Sequence, residues 1–459
     1  MSRSTFRKSI HAIMTLILCS CTPSWSQASG IRMSDEYEIH DVRVLPQDMR
    51  TYASNCSSQA LAPGCRDSLL ADFMRNQYSP WRESVPRSHI TDAVQAMREH
   101  VQWTWYGENR RKVSPDRLAE LLANCDLERL PSMDRPAVAL SPSSMRVLPT
   151  TVPFLKKADD FPFDRIQNAA VAMNEPLRVL HVSADGLWVF VKGPDASGWV
   201  ESRDVGYINE VQASEWMNRE LMVVVRDGAL LSDANGGAIA KVKVGALFPR
   251  VGENGNFHIV SVAIPSDGHQ VRVVNARIPK DSAQRFPLDL NREGVAMVGN
   301  QLLGKPYGWG GLYHNRDCSS MIRDFFLPFG IWLPRGSYNQ IHSGNAISLN
   351  GLSNDEKERV LKERGIPFLT LVYLKGHIML YVGNINGRPL VFHSSWGVSL
   401  SDGEGSVSKH VIGKSIVSTL TPGSELNLAS GTLLDKVRSI LVLGNCPASR
   451  GQVFKEGKQ

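Results

Sequence analysis

Cys318 follows Asn315-Arg316-Asp317 and opens a segment whose apolar residues fall at Ile322, Phe325 and Phe329 before Gly330. Those spacings trace one face of a helix that carries Cys318 in its first turn and stops at the glycine. Free backbone amides and the positive end of the helix dipole favour thiolate over thiol there, and the thiolate is the attacking species in nucleophilic catalysis. A cysteine that merely packs at a helix start shows the same pattern. His377 lies in Gly376-His377-Ile378-Met379-Leu380-Tyr381-Val382, an alternating strand with His377, Met379 and Tyr381 on one face. Asn384-Ile385-Asn386-Gly387-Arg388 predicts a turn, and Leu390-Val391-Phe392-His393 the returning strand. A hairpin folded about Asn386-Gly387 brings His393 within about three residues of the position opposite His377. A helix-start cysteine facing two imidazoles on adjacent strands supplies nucleophile, base and orienter. Two unrelated half-buried histidines are the plainer reading. A zinc site of Cys318, His377 and His393 is a third, weakened because closely spaced ligand pairs and a nearby carboxylate base are missing.

The elements that must hold these residues change character along the chain. Residues 32–150 read as helical and then as linker. Ile90–Met97 and Pro115–Leu122 carry helix formers with periodic apolar positions, Trp103-Thr104-Trp105-Tyr106-Gly107 reads as packing, and Leu130 to Pro153 is rich in Pro and Ser. Residues 151–215 and 216–288 each show short apolar strands separated by Gly, Asn and Asp turns, which predicts two small all-β barrels. Leu177–Val182, Leu187–Val191 and Ser197–Val200 belong to the first, and Val223–Val225, Ala240–Val244 and Phe257–Val262 to the second. Residues 289–446 mix helices and strands as an α+β domain, and 447–459 form a tail.

The chain has 459 residues, 42% apolar and 21% charged, with a net charge of +6. That length accommodates about three domains. The composition excludes disorder for most of the chain. No apolar run approaches the ~20 residues of a spanning helix, which excludes a polytopic membrane protein. Arg3, Arg7 and Lys8 contribute half of the net charge, and no basic run argues for a nucleic-acid partner. Those three residues, followed by the apolar stretch Ile10 to Cys19, read as an export leader. Leu18-Cys19-Ser20-Cys21 offers a lipoprotein cut after about residue 20, with Cys21 as the lipid-bearing residue and membrane anchor. Ser26-Gln27-Ala28 offers ordinary processing, with a leader over 1–28. Either route places the mature protein in the periplasm or cell envelope. Cys56 and Cys65 flank a short loop and are candidates for a disulfide, with two buried thiols as the alternative.

Pro306-Tyr307-Gly308-Trp309-Gly310-Gly311, Asp317-Cys318-Ser319, Gly376-His377 and His393 together resemble the NlpC-type cysteine peptidases that cut bacterial cell-wall peptides. The likeness covers roughly the last third of the chain. With an N-terminal helical segment and two SH3-like barrels upstream, where Trp188 and Gly198-Trp199-Val200 fit the pattern, it resembles the γ-D-glutamyl-L-diamino acid endopeptidase branch. The resemblance implies a multidomain fold ending in a papain-like α+β domain, murein stem peptides as partners, and no cofactor. It implies that Cys318 attacks the carbonyl of the γ-D-Glu–diamino acid bond, that His377 moves the proton, and that His393 orients His377. It further implies that Tyr307 bonds the developing oxyanion, that Asp317 and Ser319 hold the D-Glu or L-Ala part, and that Trp309 forms a pocket wall. Leu333-Pro334-Arg335-Gly336-Ser337 resembles the family segment in which an acidic or amide residue precedes the serine, here Ser337. Gly336 stands at that place, so a charge for a free L-Ala amine must come from elsewhere, with Glu175 of the first barrel the candidate. A silent cell-wall binding protein, or a thiol amidase or acyltransferase acting at another bond, are the competing readings. The oligomeric state is left open.

Overall fold

The computed structural model describes residues 38–57, 61, 63–404 and 406–444. The expected leader with Cys21, and the tail over 447–459, lie outside them. Among the described residues no helix is long and apolar enough to cross a membrane.

The chain opens with α1 (His40–Val44), α2 (Met49–Ala53), α3 (Pro63–Gln77), α4 (Ser79–Arg82), α5 (Arg87–His100) and α6 (Pro115–Asn124). Local chemistry sets the start of α6, where Ser114 accepts the Arg117 N–H and Pro115 occupies the first helical position. Ile90 and Met97 of α5 and Leu118 and Leu121 of α6 turn inward and pack on Trp105, Phe190 and Trp199. Trp105 is core, at 2% exposure, while Trp103 stacks on it from outside and is 51% exposed. Tyr52 of α2 joins the core of the C-terminal domain, and Trp81 packs against Trp216 and Val271. The helical segment therefore buries its apolar side against all the later units.

The first sheet comprises β1 (Arg135–Ala139), β2 (Ser143–Arg146), β3 (Gln167–Val171), β4 (Pro176–Val182), β5 (Trp188–Lys192), β6 (Ser197–Glu201) and β7 (Val205–Tyr207), in the order β3-β2-β6-β5-β4-β1-β7. The Leu130–Pro153 stretch, expected as linker, instead supplies β1 and β2. Ala137 pairs with Leu177 on one side and Tyr207 on the other, so distant partners make the strand, and Pro and Ser had hidden its short apolar period.

After α7 (Glu210–Met217), a second seven-stranded sheet follows. It contains β8 (Leu221–Val224), β9 (Ala229–Ser232), β10 (Ala238–Val242), β11 (Leu247–Asn254), β12 (Phe257–Pro265), β13 (Val271–Pro279) and β14 (Ala283–Arg285), in the order β10-β9-β13-β12-β11-β8-β14.

The C-terminal domain runs α8 (Arg292–Leu302), α9 (Cys318–Phe326), α10 (Ser337–Ile341), β15 (Ile347–Ser348), α11 (Asn354–Arg364), β16 (Thr370–Leu374), β17 (His377–Ile385), β18 (Arg388–Ser401), β19 (Val407–Thr419), α12 (Leu433–Lys436) and β20 (Ser439–Val442). Its six-stranded sheet has the order β15-β20-β16-β17-β18-β19. Met321, Ile322, Phe325 and Phe326 of α9 bury against Ile378, Leu380, Phe392 and Val417 of the sheet. This packing, rather than helix propensity in so short a segment, holds α9 in place. The β17–β18 hairpin turns at Asn386 and Gly387, with φ of 50° and 78°, the left-handed pair that a two-residue hairpin demands.

Cys56 and Cys65 do not pair with each other: Cys56 is a free buried thiol, whereas Cys65 is disulfide-bonded. Packing separates them, since Cys56 lies by Leu290 O and Cys65 by Gly444 O.

Candidate active site

Asp317 caps α9 by accepting the Ser320 N–H at 2.8 Å, which leaves Cys318 as the first helical residue. The Asp317 carboxylate also accepts Arg335 Nη1 at 3.1 Å, Arg335 Nη2 at 2.9 Å, Ser319 Oγ at 3.0 Å and the Gly310 N–H at 3.0 Å. A carboxylate offers about four lone-pair sites, so Asp317 is saturated by the protein itself. Burial alone would raise its carboxyl, but Arg335 and these donors hold it well below the usual range. Ser319 is engaged too, since its Oγ donates to Asp317 and accepts from Arg335 Nη1 at 3.1 Å. Both residues expected to hold substrate therefore build the frame around Cys318, with Arg335 as the clamp. Ser337 is buried at the start of α10, two residues beyond that arginine.

Cys318 is 8% exposed, and the nearby backbone N–H groups of Ile378 and Ser319 favour its charged form. The thiol thus lies beside the residue that follows His377. The helix start by itself predicts an acidic thiol. Burial and then the adjacent Asp317 charge reverse that expectation and push Cys318 up to about 12. Burial likewise carries His377 down to about 4, against the pull of Asp317. Thiol and imidazole therefore rest as a neutral pair.

His377 Nε2 lies 2.8 Å from His393 Nδ1, His393 Nε2 lies 3.0 Å from Ser418 Oγ, and Ser418 Oγ donates to Thr419 O at 2.7 Å. The last bond uses the only hydroxyl proton, so Ser418 accepts from His393 Nε2–H. His393 Nδ1 must then accept from His377 Nε2–H, which leaves the lone pair of His377 on Nδ1. Burial, reinforced by the neighbouring His377, keeps His393 well below its ordinary value and hence neutral. The two rings bond each other edge to edge rather than turning toward a common ion, which is not the arrangement of a zinc site. Ser418 carried no signal in the sequence, because a serine on β19 acquires this role only from the pairing of β18 with β19.

Tyr307 and Trp309 form one side of an aromatic group completed by Phe163 and Trp396. The Phe163 ring centroid lies 6.2 Å from Tyr307, 5.3 Å from Trp309 and 6.2 Å from Trp396. Burial, with Cys318 and Asp317 nearby, holds the Tyr307 phenol well above its ordinary value, so it keeps a proton to donate. Phe163 comes from the segment between β2 and β3 of the first sheet, and the close approach of that sheet depends on glycine. Gly310 and Gly311 adopt φ of 60° and 87°, and a Cβ there would meet Gln167 O at 2.2 Å and Ala170 Cβ at 2.7 Å.

Glu175 is not brought to this group. It is buried behind α9, where its Oε2 accepts the Ala172 N–H at 3.1 Å. It shares a cavity of about 80 Å³ with Lys243, Arg316, Arg323, Asp324 and Arg335. Burial pushes it up to about 7, opposed by Arg323 and assisted by Asp195.

Three segments match known family descriptions: 304–415 the NlpC/P60 family, 10–130 the N-terminal NLPC_P60 stabilising domain, and 153–201 an SH3 domain of the SH3b1 type. No curated protein matches the chain. Among solved structures, an NlpC/P60 endopeptidase from Photobacterium damselae subsp. piscicida aligns over 88% of this chain and 98% of its own at 21% identity, with a TM-score of 0.79. At that identity the likeness is one of fold. An NlpC/P60 family protein from Bacillus cereus aligns over 61% of this chain and 83% of its own at 17% identity, with a TM-score of 0.41.

Proposed function

Since the chain carries an NlpC/P60 domain behind that family's stabilising domain and an SH3b-type domain, we propose that it is a thiol endopeptidase cutting the γ-D-Glu–diamino acid bond of murein stem peptides. The observation that carries this reading is the 2.8 Å bond from His377 Nε2 to His393 Nδ1, which leaves the Nδ1 lone pair of His377 for a cysteine at a helix start. In the first half-reaction His377 Nδ1 takes the Cys318 proton as sulfur bonds to the scissile carbonyl carbon. The carbonyl electron pair moves onto oxygen, where Tyr307 O–H and a helix-start amide donate to it. Collapse of that intermediate expels the amine, which receives the proton from His377, and a γ-glutamyl thioester remains. Water then surrenders a proton to His377 and attacks the thioester. Collapse of that second intermediate expels sulfur, which takes the proton back from His377 to give the free thiol and the acid product.

The second seven-stranded sheet takes the place of a second SH3-like unit in this reading. The leader directs export to the envelope, either by ordinary processing over residues 1–28 or by a lipoprotein cut after about residue 20 that leaves Cys21 to carry the lipid. Because Gly336 brings no charge and Glu175 lies behind α9, a free L-Ala amine is not required for cleavage.

The test is mass spectrometry of L-Ala-γ-D-Glu-meso-diaminopimelate, and of its N-acetylated form, incubated with wild type and Cys318→Ala. Release of the L-Ala-D-Glu fragment from both substrates by wild type alone is expected. Cleavage at another bond would favour an amidase, and no cleavage with Cys318 inert to iodoacetamide would favour a silent binding protein.

A further inference from the structure

The segment over 152–166 leaves the first sheet between β2 and β3 and is pinned from beneath. Arg146 Nη2 lies 2.9 Å from Asp164 Oδ2, with side chains 4% and 1% exposed. Arg146 also donates to Gln167 Oε1 at 2.7 Å and to Val152 O at 3.0 Å, while Asp164 accepts the N–H groups of Phe154 and Ile166. Breaking a buried pair of this kind strands a charge, so the segment is held in one conformation. Flanking Asp164, Phe163 and Arg165 reach the aromatic wall beside Cys318. The Arg165 Cζ lies 4.6 Å from the centre of the Trp309 ring and 5.2 Å from that of Phe163. Its charge is felt by the Tyr307 phenol, which in turn feels Cys318.

Stacking on an indole uses the face of a guanidinium and leaves its in-plane N–H donors free. Arg165 spends one of them on an ion pair with Asp160 Oδ2, at a long 3.3 Å, and its buried Nε has no partner among the described residues. The side chain is 24% exposed, so a ligand lying against the aromatic wall can reach it. A preformed, partly desolvated fork of N–H donors against an aromatic wall fits a planar anion.

We infer that Arg165 forms a subsite for a free carboxylate of the substrate, and that this subsite selects acidic over amidated stem peptides. The inference rests on the proposed endopeptidase reading. Two carboxylates share the required chemistry: the α-carboxylate that γ-linkage leaves free on D-Glu, and a carboxylate of the diamino acid.

The experiment compares three peptides: L-Ala-γ-D-Glu-meso-diaminopimelate, the same peptide amidated at the D-Glu α-carboxylate, and the same peptide amidated on the diamino acid. Wild type, Arg165→Gln and Arg165→Lys are assayed for kcat/KM, and binding to the Cys318→Ala forms is measured by calorimetry. Wild type is expected to disfavour one of the two amides by about 10- to 100-fold, which identifies the source of the carboxylate. Arg165→Gln should lose a like factor on the free acid and treat acid and amide alike, and Arg165→Lys should keep part of the preference. Equal losses on all three peptides, or a wild type indifferent to amidation, would overturn the subsite. If nothing is cleaved but Cys318→Ala still binds acid over amide and the double variant with Arg165→Gln does not, the subsite stands and the endopeptidase reading fails. Absence of discrimination in both cleavage and binding removes the subsite.

Discussion

His377 Nε2 and His393 Nδ1 lie 2.8 Å apart, with their ring planes at 76°. This contact decides which nitrogen of His377 can act on a thiol, because a neutral imidazole has one donor and one acceptor. His393→Ala is expected to lower kcat by about 100-fold or more, as loss of an orienting partner does in other triads. His393→Asn supplies a carbonyl oxygen that can accept the Nε2 proton and should recover much of the loss. Steady-state kinetics on the murein tripeptide checks this, and equal inactivity of the two variants would count against an orienting role.

Ser418 is the far end of the same chain, fully buried and 3.0 Å from His393 Nε2. Ser418→Ala leaves the His393 Nε2–H without a partner and frees the ring to adopt the other tautomer. The expected result is a drop in kcat of roughly tenfold with KM unchanged, and Ser418→Thr should restore activity. Imidazole ¹⁵N shifts report the tautomers directly. An unchanged His393 tautomer in Ser418→Ala would reduce Ser418 to a packing residue.

The protonation states set the pH behaviour. His377 lies near 4 and Cys318 near 12, so catalysis starts from a neutral pair. Activity needs neutral His377, so kcat/KM should fall as pH drops through about 4, not through the ordinary histidine range. Iodoacetamide alkylation of Cys318 should be slow at neutral pH and climb steadily into alkaline solution. A fast plateau already present at pH 5 would mean a preformed thiolate–imidazolium pair instead.

Glu175, pushed up to about 7 mainly by burial, makes folding pH-dependent. Its folded value lies above the unfolded one, so the folded chain binds the extra proton between about 4.5 and 7. Its contribution is present below that window and is lost as pH rises through it. Glu175→Gln keeps an acceptor for the Ala172 N–H and removes the titration. Thermal melts should match wild type at pH 4.5 and exceed it at pH 8. A variant less stable at pH 8 would show that the attraction of the nearby Arg323 charge outweighs the burial cost.

Much of the site's skeleton was legible in the sequence. Apolar spacing placed Cys318 at a helix start, and Asn386-Gly387 fixed a hairpin that brings His377 and His393 together, because both depend on residues close in the chain. The helices over Arg87–His100 and Pro115–Asn124 were readable for the same reason. What tertiary structure alone decided depends on distant partners. β1 and β2 exist through strands that follow much later, and Phe163 and Arg165 reach Trp309 only because Gly310 and Gly311 let the first sheet approach. Asp317 reads as a substrate ligand until Arg335 and Gly310 fill its lone pairs, and Glu175 reads as a site residue until packing puts it behind α9. The protonation of Cys318 is the clearest case. A helix start stabilises charge locally, but the cost of burying that charge is set by everything packed around it, and here the burial prevails.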